Sequence, residues 1–328
     1  MIRGRVVKLD RGFPLVRTED NQEFRCKHAT TLIKDRQSRA AIGDWVELEI
    51  PERHDKAIIQ SIEARKNSLV RKDPAEQALP QILATNFDII FIAQPITDIN
   101  LRRFERELVL AHETEAEVIV LLTKADLSKN KKDSEKSIAC VQALLDNEKL
   151  LVLSAEDKES IENVRACILP GKTAVLVGKS GVGKSSLVNL LVGKNVQDTK
   201  GVRENDGKGR HTTVSREMVE IPGGGEIIDM PGVRGLGLWD AETGLKAAFV
   251  DIEQYAQGCK FRDCSHKNEP GCAVRAACEA GEISKERWDS YRALKNESKD
   301  IKERRKESEH LHKKALGKAF RNARSRRT

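Results

Sequence analysis

The sequence predicts a multidomain chain: a small closed β-barrel, then an α/β domain built on a parallel sheet, then a helical segment with a Cys/His cluster. Three observations predict it. Residues 2–63 break into five short strand-like runs; after Pro80, strand-like and helix-like runs alternate; and Cys259, Cys264, His266 and Cys272 share one 14-residue stretch. A chain of 328 residues exceeds one small core and suits two or three domains, which we place at 1–66, 67–245 and 246–328.

The barrel strands are expected at Gly4–Leu9, Phe13–Thr18, Gln22–Cys26, Trp45–Ile50 and Lys56–Ile62. Asp10-Arg11-Gly12, Glu19-Asp20-Asn21 and Gly43-Asp44 supply the residues that reverse a chain tightly. Five short, partly alternating strands fit an OB-type barrel, a fold that can hold single-stranded nucleic acid. Phe13, Phe24 and Trp45 could stack on bases, and the same three residues would serve equally as core. The stretch from Asn67 to Pro80, polar and with two prolines, reads as a connector.

Beyond it, strands at Phe87–Ala93, Glu117–Leu122, Leu150–Leu153 and Thr173–Val177 alternate with helices at Leu101–His112, Ser134–Leu145, Ser160–Ile168 and Ser186–Val192. Apolar strands joined through helices make a parallel sheet covered on both faces.

Between the last of these strands and its helix, Gly178 to Ser185 reads GKSGVGKS and fits G-x-x-x-x-G-K-[ST]. Gly178, Gly181 and Gly183 let the backbone curl, so that N–H groups along Lys179, Ser180 and Val182 turn toward a phosphate at a helix N-terminus. Lys184 is placed to reach the β- and γ-phosphates and Ser185 to offer its hydroxyl to Mg²⁺, with Ser186 next in the nucleotide site.

Other loops decide which triphosphate. Thr123-Lys124-Ala125-Asp126 follows a predicted strand, where open α/β sheets bind ligands. The Asp126 carboxylate can accept hydrogen bonds from guanine N1–H and the 2-amino group, a pair that adenine lacks. Lys124 can lay its stem along the base. Ser154-Ala155, after the next strand, is where a backbone N–H would meet guanine O6. Downstream, Asp229-Met230-Pro231-Gly232 follows the apolar run Glu226–Ile228 and matches a D-x-P-G segment that binds Mg²⁺ and senses the γ-phosphate, Gly232 being free to swing. The polar stretch from Gly193 to His211 ends in Thr212-Thr213, suited to a switch ordered by Mg²⁺ and the γ-phosphate; Thr213 is taken as the metal ligand with Thr212 as the alternative.

The spacing C-x4-C-x-H-x5-C over Cys259, Cys264, His266 and Cys272 offers three thiolates and one imidazole to a structural Zn²⁺, with Cys278 as a substitute ligand. An odd total of seven cysteines argues for reduced thiols, and Cys26, Cys140 and Cys167 fall in core or helix positions. No apolar run approaches a membrane span and no signal-peptide pattern opens the chain, so a cytoplasmic protein is expected. The net charge of +7 is uneven: residues 283–328 hold 16 Lys/Arg against 7 Asp/Glu, a net of +9. A basic tail on a nearly neutral body fits a polyanionic partner, although a solvated helix has the same composition.

Taken together, the motifs are those of a GTPase in the order T-K-x-D, S-A, P-loop, Thr, D-x-P-G, so the central domain resembles a circularly permuted GTPase. With a barrel before it and a Cys₃His segment after it, nearly the whole chain resembles the RsgA family, the small ribosomal subunit biogenesis GTPases. Gly209-Arg-His-Thr-Thr213 matches that family's G-x-H-T-T switch. The resemblance implies a monomer that binds the 30S subunit through 16S rRNA late in maturation and hydrolyses GTP to GDP there. Thr123 stands where ordinary GTPases have Asn, and Val233 where many have a catalytic Gln. Val233 cannot orient water, which leaves His211 as the nearest candidate and His211, Lys184 and Thr213 as the expected catalytic set. A rival reading is an RNA-binding module in which GTP only sets conformation; an ATP-dependent small-molecule kinase is disfavoured by T-K-x-D and the basic tail.

Overall fold

The computed structural model describes residues 1–10, 13–33, 39–51, 56–73, 79–128, 130–193, 216–230 and 235–325. These form two compact units: Met1–Val70 with Ile82–Leu236, and Arg71–Gln81 with Gly237–Thr328.

The first unit begins with β1 (Ile2–Asp10), β2 (Phe13–Thr18), β3 (Glu23–His28), the one-turn α1 (Thr30–Ile33), β4 (Trp45–Glu49) and β5 (Ala57–Ile62). Each strand end lies within two residues of the sequence expectation. The ladder runs β1-β2-β3-β5-β4 and closes through β4 on β1, with β3 and β5 parallel. This is the expected OB-type barrel. Alternation fixes which side chains point inward: Val6, Val16, Cys26, Val46, Leu48 and Ile59 form its core. Burial pushes the Cys26 thiol up to about 12, so it is an inert core residue.

Next come β6 (Ser68–Lys72) and β7 (Pro80–Thr85), which pair as a two-stranded ribbon where the sequence predicted a connector. Then follow β8 (Ile89–Pro95), α2 (Leu101–His112), β9 (Glu117–Thr123), α3 (Lys131–Gln142), β10 (Lys149–Val152), α4 (Lys158–Arg165), β11 (Thr173–Gly178), α5 (Lys184–Val192), β12 (Arg216–Glu220) and β13 (Glu226–Asp229). The sheet order is β10-β9-β8-β11-β13-β12, parallel except for β12. β8 and β11 are buried almost throughout, because helices cover both faces of a parallel sheet. The ends of α2 match the expectation, fixed by Asn100, whose side chain accepts the Arg103 N–H at its start.

β12 was not expected, and it joins the two halves of this unit. β1 pairs with it antiparallel at Lys8↔Glu217 and Leu9↔Arg216, so barrel and nucleotide domain share one 11-stranded sheet. Ion pairs flank the seam: Lys8 with Glu217 at 3.0 Å and Arg5 with Glu226 at 2.6 Å.

In the second unit, α6 (Glu242–Ala248), α7 (Val250–Gln257), α8 (Ala273–Glu279) and the 41-residue α9 (Lys285–Ser325) follow in order. The first half of α9 is core: Tyr291, Leu294 and Ile301 are buried, and Tyr291 meets Phe249 edge-on at 5.3 Å. Arg287 forks onto Asp251 and donates to the Ala248 carbonyl. Among the described residues, no helix is long and apolar enough to cross a membrane.

Candidate nucleotide site and metal centre

Gly178 ends β11 beside Ala93 of β8, and a Cβ on Gly178 would lie 2.6 Å from the Ala93 carbonyl oxygen, so only glycine fits. Gly181 and Gly183 take φ of 82° and 103°, turning the chain into α5. Lys179, Ser180 and Gly181 are exposed, so the loop is open to a ligand. Lys184 is buried, and its ammonium donates to the carbonyls of Gly178 at 2.9 Å and Lys179 at 3.1 Å. Burial lowers its pKa, opposed by Asp229 and Glu107.

Asp229, at the end of β13, lies with Oδ2 3.5 Å from the Ser185 hydroxyl. Its Oδ1 is buried with no hydrogen-bond partner among the described residues. Burial pushes its carboxyl up to about 6 against the pull of Lys184. A hydroxyl and an orphaned carboxylate oxygen beside a phosphate loop fit the hard-oxygen preference of Mg²⁺. Bound there, the ion would neutralise phosphate charge, and Ser185 and Asp229 would hold it. His211, Thr212, Thr213, Gly232 and Val233 lie outside the described residues.

The T-K-x-D segment closes against the same loop. Thr123 ends β9 with its hydroxyl 2.7 Å from the Val182 carbonyl and 3.2 Å from that of Gln94, so it ties T-K-x-D to the P-loop. Lys124 is left-handed at φ 61°, ψ 38° and leads into a short turn, Ala125–Leu127, that presents Asp126. The Ala125 N–H donates to the Leu153 carbonyl at 3.0 Å, bringing Ser154-Ala155 alongside. Lys124, Asp126, Ser154, Ala155, Gly183 and Ser186 line one cavity of about 210 Å³. Apart from Thr123 its remaining wall is apolar, with Leu127, Ile161 and Leu190 among the residues that sequence reasoning missed. Isolated leucines in helical spacing carry no signal that they face a ligand.

Three more residues missed from sequence stand behind the loop. Gln94 follows Ala93 on β8 and donates through Nε2 to Glu107 at 2.5 Å, and Arg103 Nε donates to the same carboxylate at 2.9 Å.

In the second unit, the ligand atoms of Cys259, Cys264, His266 and Cys272 lie within 4.8 Å of one another. Cys259 Sγ and Cys272 Sγ are each 3.5 Å from His266 Nδ1 and 3.9 Å apart. Zn–S and Zn–N bond lengths set tetrahedron edges of roughly 3.6–3.8 Å, so Cys259, His266 and Cys272 already stand near the spacing Zn²⁺ requires, and the set as a whole closes on the ion with a small inward shift. Cys278 is not in the cluster. Glu269 organises the loop by accepting the Ser265 hydroxyl and the N–H groups of Ser265, Lys267 and Asn268; the Ser265 hydroxyl first, with the backbone N–H groups behind it, holds its carboxyl down at about 2. Trp288 of α9 meets the His266 ring edge-on at 6.1 Å.

A P-loop in mid-sheet, with its base-reading loop earlier in the chain and its D-x-P-G strand later, defines a circularly permuted GTPase. Comparison with known proteins agrees. The RsgA GTPase family model matches residues 62–239. A small ribosomal subunit biogenesis GTPase RsgA of Streptomyces avermitilis is 40% identical over 302 residues, covering 92% of this chain and 80% of that one. Among solved structures, YjeQ from Thermotoga maritima is 25% identical with a TM-score of 0.64, over 90% of this chain and 98% of that one. YloQ, described as a circularly permuted GTPase, is also 25% identical, with a TM-score of 0.61 over 92% and 96%. The chain belongs to the RsgA GTPase family and is a GTP-hydrolysing enzyme.

Proposed function

We propose that this GTPase acts in biogenesis of the small ribosomal subunit, binding the 30S particle through 16S rRNA late in maturation and hydrolysing GTP faster when bound. The observation that carries this reading is the combination, in one chain of this family, of a cavity lined by Lys124, Asp126, Ser154 and Ala155, a barrel and a basic C-terminal helix. Asp126 selects guanine, Lys124 covers the base, and Ser154-Ala155 meets O6. The loop from Gly178 to Ser185 holds the phosphates, with Lys184 on the β- and γ-groups. Ser185, Asp229 and Thr213 would hold Mg²⁺, which would supply charge neutralisation to the nucleotide phosphates. His211 orients the attacking water, because Val233 is apolar. The Cys₃His cluster holds one structural zinc per chain, the functional parts divide at 1–66, 67–245 and 246–328, and the protein works as a cytoplasmic monomer.

The test is GTP turnover with and without 30S subunits. Stimulation at least about tenfold above the intrinsic rate is expected, a threshold set well below the roughly 10³- to 10⁵-fold that a partner-supplied arginine gives in other GTPases. Equal turnover with retained 30S binding would instead assign GTP a purely conformational role.

A further inference from the structure

Glu107 is an ionisable residue placed where solvent cannot reach it, its side chain 0% exposed on the inner face of α2. Its neighbours connect it to the phosphate loop. Gln94, whose amide it accepts at 2.5 Å, directly follows Ala93, the register partner of Gly178. Gly178 in turn provides the carbonyl that receives the Lys184 ammonium. The same Gln94 accepts the Thr123 hydroxyl at its backbone carbonyl, so this glutamine bridges Thr123 and Glu107 one residue beyond the pairing of β8 with Gly178. The charged groups that act on the carboxyl are Arg103, one helical turn earlier on α2, whose Nε donates to it at 2.9 Å, and, at longer range and without a hydrogen bond between them, Lys184 at the head of α5. Gln94 of β8 is neutral, and β9, the other strand under α2, carries no ionisable side chain from Val118 to Thr123.

We propose that Glu107 is a positioning residue for the phosphate-binding lysine: a buried counter-charge behind the loop whose protonated form is favoured when a nucleotide is bound, so that binding takes up a fraction of a proton. This rests on the reading that phosphates sit at Gly178 to Ser185. In the empty loop Lys184 needs anions nearby, and Asp229 and Glu107 supply them. A bound nucleotide brings its own negative charge to Lys184. A second carboxylate within the same low-dielectric region then repels the phosphates and competes for the ammonium, which favours its protonated form. Burial already holds the Glu107 carboxyl at about 7, so the proton is available near neutral pH. The sign follows: the free-state carboxyl ionises first as pH rises, the bound-state carboxyl later, and affinity falls between the two.

A bound-state rise of about half to one pKa unit weakens GDP binding about three- to sixfold between about pH 6.5 and pH 8.5. Calorimetric titration of GDP·Mg²⁺ into the full chain, at about pH 7.5 in two buffers of different ionisation enthalpy, should report net proton uptake. Glu107→Gln, which keeps the shape and one acceptor oxygen for Arg103 and whose new amide N–H pairs with the Gln94 side chain once that amide turns over, should abolish most of that uptake and hold its affinity level across the range. A role in packing alone would change melting temperature and leave the pH profile parallel to wild type. Lys184→Ala separates the layers. If it leaves GDP binding intact, the phosphate-site reading is wrong. If it abolishes binding while Glu107→Gln retains the wild-type pH slope and proton uptake, the site stands and the role of Glu107 is overturned.

Discussion

Replacing Thr123 by Val keeps the shape of the side chain and removes one hydroxyl, which makes it a sharp probe of how the base and phosphate loops are coupled. Thr123 is 6% exposed, and its hydroxyl is 2.7 Å from the Val182 carbonyl and 3.2 Å from that of Gln94. The valine variant leaves the Val182 acceptor buried without this donor, which costs about 1–3 kcal/mol. For a folded unit of this size, each kcal/mol lowers the melting temperature by roughly 2–4 °C. The tie also holds two segments of the nucleotide site in register before any ligand arrives. If ordering them falls to the ligand, at about 1–2 kcal/mol, GDP affinity drops about 5- to 30-fold. Thermal melts with and without GDP, together with fluorescent-GDP titration, measure both effects. Thr123→Ser retains the hydroxyl and should recover most of the lost affinity. A valine variant with wild-type melting and wild-type affinity would refute the coupling.

Asp126→Asn should weaken GTP and favour xanthosine triphosphate, whose C2 carbonyl accepts from the new amide; unchanged preference in a competition assay removes Asp126 from the base site. The purified protein should carry about one equivalent of zinc, lost or strongly weakened in Cys264→Ser, with local unfolding on chelation; full retention would point to Cys278. His211→Ala should lower 30S-stimulated turnover about 10²-fold or more while GTP affinity stays within a few-fold, and wild-type turnover would rule out the role. Deleting residues 306–328 removes eight Lys/Arg and two Glu, a net of +6, and leaves the Arg305–Asp240 pair and the α9 core in place. That truncation should flatten the salt dependence of 30S pelleting with intrinsic GTP binding preserved, and equal slopes would make the tail a solvated helix.

The elements that were legible in the sequence are those whose signals are local. α2 has an Asn cap and an apolar stripe, and the barrel strands are bounded by turn residues, so both fell near their true ends. β12 was not legible because Arg216-Glu-Met-Val-Glu220 carries three charges in five residues; it is a strand because β13 and β1 pair with it on either side. β6 and β7 were hidden by the prolines and charges of their connector. Within the site, the phosphate loop, T-K-x-D and the Cys/His spacing were readable because their chemistry demands particular residues at fixed separations. Gln94 and Glu107 were not, since a glutamate in a helix reads as a solvated face until the tertiary fold closes over it. Leu127 and Leu190 face the cavity for the same reason, through placement and not pattern.

Glu217 sits in register with Lys8 of the barrel on one side and with Asp229 of the nucleotide site on the other. A strand spacing is about 4.8 Å, so the barrel's first strand and the carboxylate that faces Ser185 are separated by about two such steps of continuous ladder. The barrel is therefore not a bead on a tether. Any rocking of it must either shear the Lys8↔Glu217 and Leu9↔Arg216 pairs or carry the end of β13 with it, as a wheel carries the axle it is pinned to.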